Sequence, residues 1–210
     1  MKRRHALTLL LGLLTTPAFA SQAREWRFTA YLDDDEIGYH RFVLVENGPE
    51  SQLMSEARFN VKILMFNAYR YTHDNRERWR GDCLAQIEST TDDNGKSYRV
   101  RGAPEGDAFI LKAGTEQAPL PACPMTFAYW NPAFLKQSRL LNAQTGEYLP
   151  VSVQPLGADT VLVKGEVREA QRYRLQARDF DIELWYSPAG EWLALDSLTA
   201  GGKRLRYRQL

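Results

Sequence analysis

The chain has 210 residues, with 27 Lys and Arg against 26 Asp and Glu and a formal net charge of +1. That balance excludes the basic surface on which non-specific nucleic-acid binding depends. A 44% hydrophobic content with only two cysteines describes a globular chain that buries its own core, and excludes disordered and disulfide-dense classes.

The first element is an export leader over residues 1–20. Lys2, Arg3, Arg4 and His5 are basic, Ala6 to Leu14 is apolar, and Ala18-Phe19-Ala20 places small residues before a cleavage point after Ala20. The apolar run is far shorter than the roughly 20 residues of a membrane span, and no later run approaches that length. No cysteine lies near the cleavage point to carry a lipid anchor. The Arg3-Arg4 pair lacks the aromatic residue of a twin-arginine signal, so the general secretory route is expected, and with it a periplasmic protein that does not span the membrane. The leader holds three basic and no acidic residues, which leaves 24 against 26, a net of −2, for residues 21–210. These are expected to form one β domain.

Alternation of apolar and polar residues dominates the remainder of the chain. Ala57, Phe59, Val61, Ile63 and Met65 share one face, with Arg58, Asn60 and Lys62 on the other. Tyr173, Leu175 and Ala177 oppose Arg172, Arg174, Gln176 and Arg178, and Leu205 and Tyr207 oppose Arg204, Arg206 and Arg208. A period of two marks strands with one buried and one wet face. Asn94-Gly95 between two such runs signals a hairpin, because both turn positions need positive φ. Asn47-Gly48-Pro49, Pro188-Ala189-Gly190 and Ala200-Gly201-Gly202 mark further turns.

One stretch breaks the rhythm. After a loop over Ala118 to Pro124, Asn131 can cap a helix that starts at Pro132, where a missing amide proton costs nothing. The fold expected is all-β and mainly antiparallel: a strongly curved sheet or half-barrel of about ten strands with a short helical insertion near residues 131–138. An outer-membrane barrel is the alternative. Runs apolar on both faces, such as Phe42-Val43-Leu44-Val45, argue against it.

Cys83 and Cys123 read as one disulfide in an oxidising compartment, with two free buried thiols as the alternative. His40 and His73 invite a test for catalysis or metal binding. No Gly-x-Ser-x-Gly elbow and no His-Glu-x-x-His is present, and nothing in the spacing forces the two rings together. The plainer reading is one histidine at a wet rim and one packed among tyrosines. Asp33-Asp34-Asp35-Glu36 and Asp92-Asp93-Asn94-Gly95 lack EF-hand spacing and read as turns, and no nucleotide fingerprint occurs. No cofactor or metal is expected.

The most suggestive segment is Phe127–Phe134, with four aromatics in eight residues. It either lines the mouth of an apolar pocket or plugs the end of the sheet's core. The candidate ligand-binding set is Tyr39, His40, Tyr71, His73, Phe127, Tyr129, Trp130 and Asn131. The arginine stripes read as a solvated face neutralised in part across strands by Asp179, Asp181 and Glu183.

Taken together, Ile37-Gly38-Tyr39-His40-Arg41-Phe42, Phe127-Ala128-Tyr129-Trp130-Asn131-Pro132, Leu184-Trp185-Tyr186-Ser187-Pro188 and Leu205-Arg206-Tyr207-Arg208-Gln209-Leu210 resemble a proteobacterial family of exported domains of unknown function, the six-one-three-four family. The resemblance implies secretion and a fold, and no activity. At the level of fold only, a curved sheet with a helical insertion is similar to the half-barrels of lipoprotein carriers such as LolA and LolB. The leading functional expectation is a periplasmic binding or accessory protein that holds an apolar or acyl ligand. The alternatives are an assembly protein that meets an envelope partner without a small ligand, and a hydrolase using His40 and His73.

Overall fold

The computed structural model describes residues 22–63, 66–178, 180–199 and 201–209. The leader with its cleavage point, Met65 of the alternating run, and Asp179 beside the arginine stripe lie outside them. The described residues form fifteen strands: β1 (Gln22–Leu32), β2 (Asp35–Asn47), β3 (Glu50–Ile63), β4 (Phe66–Arg80), β5 (Cys83–Asp93), β6 (Lys96–Glu105), β7 (Ala108–Ala113), β8 (Glu116–Pro121), β9 (Arg139–Leu141), β10 (Tyr148–Pro150), β11 (Ser152–Val163), β12 (Glu166–Ala177), β13 (Phe180–Tyr186), β14 (Trp192–Leu198) and β15 (Arg204–Arg208). All but β9 and β10 join one antiparallel sheet of order β11-β12-β13-β14-β15-β1-β2-β3-β4-β5-β6-β7-β8.

Within this sheet neighbours in space are neighbours in sequence, except where β1 meets β15 (Thr29 opposite Arg208), so the first and last strands lie mid-sheet. The free edges are β8 and β11. Each carries proline: Pro119 and Pro121 in β8, Pro155 in β11. A residue without an amide proton blunts an edge against further pairing.

The sheet is strongly curved and not closed. Phe42 on β2 and Trp192 on β14 stand three strands apart, about 14 Å in a flat sheet. Their ring centroids are only 5.1 Å apart. Phe28 packs on the same Trp192 ring at 4.3 Å. The inner face carries the main core, including Phe28, Leu44, Leu53, Trp79, Ile87 and Phe109. A second, smaller cluster forms on the other face. The β11–β12 pairing slips between Pro155 and Gly157, where Gly157 takes φ +97°, a value that suits a residue without Cβ. Past this bulge Val161, Val163 and Ala170 pack against Trp185, Leu193 and Ala194.

The sequence expectation of about ten strands was low. The stretch from Ala118 was expected to be loop and is largely edge strand β8. Much of β4 is polar on both faces and shows no hydrophobic period. The expected insertion shrinks to one five-residue 3-10 helix, Pro132–Lys136, with Asn131 as its cap: Ala133 N donates to Asn131 Oδ1 at 3.0 Å. The Asn94-Gly95 turn forms as expected, with φ of 51° and 91°, and joins β5 to β6. The arginine stripes are cross-paired: Arg174 with Asp181, Arg172 with Glu183, and Arg208 with Asp196.

Residues 122–151 leave the β8 edge and run inside the curve before β11 begins. This strap carries Met125, Trp130, Phe134, Leu140 and Leu141 into the main core. A bridge between Thr126 and Leu141 holds its two limbs together.

Candidate functional site

The strap fills most of the interior and leaves beside it a cavity of about 180 Å³. The residues of Phe127–Phe134 divide between the plug and the pocket lining that stood as alternatives. Phe134 plugs the core with no exposed surface, while Phe127, Tyr129 and Trp130 line the space that remains.

The opposite wall is built by the register of β2 to β5. His40, Ala57, His73 and Thr91 lie in one row across the four strands; Phe42, Ser55, Asn75 and Ser89 form the next; Leu44, Leu53, Glu77 and Ile87 the third. Because alternate residues share a face, His73, Asn75 and Glu77 all point inward between Tyr71 and Trp79. Ala57 is small, which leaves room for the imidazoles on either side of it. Their ring centroids are 6.5 Å apart.

Polar groups buried here need partners. His40 Nδ1 is hydrogen-bonded to the Tyr207 hydroxyl at 3.1 Å, and His73 Nδ1 to the Thr91 hydroxyl at 2.8 Å. Ser89 Oγ donates to the Ala143 carbonyl at 2.5 Å, tying β5 to the strap. The Glu77 carboxylate, 3% exposed, receives Asn75 Nδ2 and Trp79 Nε1, each at 2.9 Å, and the Thr126 hydroxyl. Burial still pushes its pKa up. Three buried polar atoms on the cavity wall have no partner within the protein: His40 Nε2, Asn75 Oδ1 and Trp130 Nε1.

Among the described residues no group of three or more His, Cys, Asp and Glu side chains is placed to hold a metal. No described helix is long and apolar enough to cross a membrane.

The residues singled out from the sequence divide. His40, His73, Phe127, Tyr129 and Trp130 come together around the cavity. Tyr39 does not: it alternates with His40, so it faces outward, where its hydroxyl donates to Glu56 and Arg27 lies over its ring. Tyr71 is buried in the core, stacked on Phe59 at 5.2 Å, outside the cavity lining. Asn131 is structural, capping the 3-10 helix and donating to Asp82 at 2.9 Å. Cys83 and Cys123 are disulfide-bonded, with Cα atoms 4.7 Å apart.

Glu77, Asn75 and Ser55 were missed. Thr72 to Arg78 is polar at every position, so hydrophobicity carries no phase there. Tyr71 and Trp79, eight apart and thus on one face, were the available marker.

The neutral imidazoles have a measurable consequence. Burial lowers the pKa of His73 from the ordinary value of 6.5 to about 4, and that of His40 well below 6.5. A depressed folded-state value means full stability above pH 6.5, and loss as acid protonates the unfolded chain first. His73 alone is expected to take away about 2 kcal/mol between pH 8 and pH 5. Urea unfolding of wild type and His73→Asn at both pH values checks this. Equal pH dependence in the two proteins would refute it.

The family DUF6134, a domain of unknown function, matches residues 28–209. The chain belongs to this family. The segments around Tyr39-His40, Trp130-Asn131 and Trp185-Tyr186 thus pointed to the family that is found. The DUF6134 fold also has a solved counterpart at low identity. A crystal structure of a beta-barrel-like protein of the domain of unknown function DUF1849, from Brucella abortus, is similar to this chain at a TM-score of 0.57 and 10% sequence identity. The match covers 89% of this chain and 95% of that one. At such identity the likeness shows the fold alone. No curated protein matches the chain.

Proposed function

We propose that this DUF6134 protein is exported to the periplasm, loses residues 1–20, and serves there as a non-enzymatic binding protein for a small amphipathic molecule held inside the curved sheet. One observation carries the reading: a cavity of about 180 Å³ lined by three residues, His40, Asn75 and Trp130, that each hold a buried polar atom without a partner. Leaving such atoms unbonded costs on the order of 1–3 kcal/mol each. A ligand that bonds to them recovers that free energy on binding. Phe42, Leu53, Ile182 and Leu195 supply the apolar part of the wall. Gln144 is exposed and lines the same cavity, which gives a route in from solvent.

The volume sets the scale of the ligand. Drug-sized molecules occupy pockets of about 300–1,000 Å³, whereas an engineered cavity of about 150 Å³ holds benzene. The space suits a compact body with one polar end better than a long acyl chain. The disulfide, and the absence of a long apolar helix among the described residues, are consistent with export.

Catalysis by the two histidines is the less supported reading. They do share a cavity, as a hydrolase would require. Their Nδ1 partners, however, are hydroxyls of Tyr207 and Thr91, where the orienting carboxylate of a triad would stand.

Mass spectrometry of organic extracts from natively purified protein tests the binding reading. A small amphiphile should be recovered at near-stoichiometric yield, and Gln144→Trp at the entrance should abolish it. A blank extract, together with no thermal stabilisation by any compact amphiphile offered, would count decisively against it.

A further inference from the structure

The buried acidic side chains among the described residues are Glu77 and Asp196. Asp196 is compensated: Arg208 lies 2.6 Å and Arg204 3.4 Å from its carboxylate. Glu77 is surrounded differently. Its partners are the amide of Asn75, the indole of Trp79 and the hydroxyl of Thr126, all neutral and all donors. No lysine or arginine lies among the described residues that line the cavity. A carboxylate has about four acceptor positions, so three donors leave one free. Three donors and no acceptor suit the ionised form, yet burial without a countercharge opposes it.

We infer that the cavity's occupant is a small organic cation, a protonated amine on a compact apolar body, whose ammonium group pairs with Glu77. The inference rests on the ligand-binding reading above and adds the chemical class. An ammonium group carries three N–H donors and no acceptor. The wall offers it matching acceptors: the remaining position on Glu77, the unpartnered Asn75 Oδ1, and the unpartnered His40 Nε2 in the tautomer whose Nδ1–H donates to the Tyr207 hydroxyl. Around them stand the rings of Phe42, Phe127, Tyr129, Trp130 and Tyr207, whose faces attract cations. Trp130 Nε1 is a donor and does not serve the ammonium. A fatty acid of the same size would bring a second carboxylate against Glu77, in a site without a cation to separate the two.

Three isosteric probes decide the matter: 2-phenylethylamine, 2-phenylethanol and phenylacetate, titrated calorimetrically into the purified exported protein at neutral pH. The amine should bind tenfold or more tighter than the alcohol, the minimum for one charge-assisted bond of about 1.5 kcal/mol. Phenylacetate should bind weakest. In Glu77→Gln the advantage of amine over alcohol should vanish, while Glu77→Asp should retain part of it. The ranking on wild type stands even if a variant fails to fold. If the alcohol binds as well as the amine, or the carboxylate binds better, the cation inference falls and the ligand-binding reading survives. If none of the three binds, the inference falls and the binding reading is left to its own extraction test.

Discussion

Removing the Cys83–Cys123 bond is expected to lower the free energy of unfolding by about 4 kcal/mol in the chain-entropy account. The bond closes a loop with a sequence separation of 40 that contains β5, β6, β7 and β8. Cys83 opens β5, whereas Cys123 lies just beyond β8, three strands away in the sheet. The chain therefore turns back from the edge as it enters the strap, and the disulfide pins that return. Two neighbouring contacts remain after reduction: Leu84 N donates to the Pro124 carbonyl at 3.4 Å, and Asn131 Nδ2 to Asp82. Neither constrains the unfolded chain, so neither replaces the covalent link. The double variant Cys83→Ser/Cys123→Ser avoids a reactive lone thiol. Urea unfolding should show its midpoint reduced, and dithiothreitol should shift wild type alone. A loss below about 1 kcal/mol would mean that the reduced unfolded state retains the strap's contacts, against the entropic account.

Phe134→Ala is expected to cost about 3–5 kcal/mol, the range for a fully buried aromatic ring whose loss leaves a void. Phe134 has no exposed surface and meets the Tyr129 ring edge-on at 5.7 Å. Tyr129 in turn packs on Trp192 at 5.1 Å, the ring that Phe28 and Phe42 share across the curve of the sheet. One side chain thus couples the 3-10 helix to strands from both halves of the sheet. The effect should be concentrated in the strap. Hydrogen exchange should quicken at residues 125–141 before it does in β1 to β5, and because Tyr129 and Trp130 line the cavity, retention of the proposed ligand should fall too. Leu135→Ala, one residue on and only half-buried, should cost clearly less. Equal losses for the two variants would show that Phe134 is not the strap's anchor.

The sequence by itself determined what is local. The faces of β3, β12 and β15 followed from alternation, because neighbouring side chains on a strand point to opposite sides. The Asn94-Gly95 hairpin and the Asn131-Pro132 helix start followed from backbone chemistry that needs no tertiary partner. Two cysteines, read together with the expected export leader, implied one bond, and Cys83 and Cys123 form it.

Tertiary structure alone decided what depends on curvature and register. Residues of β2 and β4 meet across Ala57 because β3 pairs with both, and the sequence states no pairing partner. Glu77 and Asn75 were hidden in a run polar at every position, where burial is set by the sheet's phase and not by hydrophobicity. Tyr39 and His40, adjacent in the chain, must part to opposite faces, but which of the two turns inward is set by that same phase. The cavity exists because the strap enters the curve without filling it, a matter of volume between distant segments that no local pattern encodes.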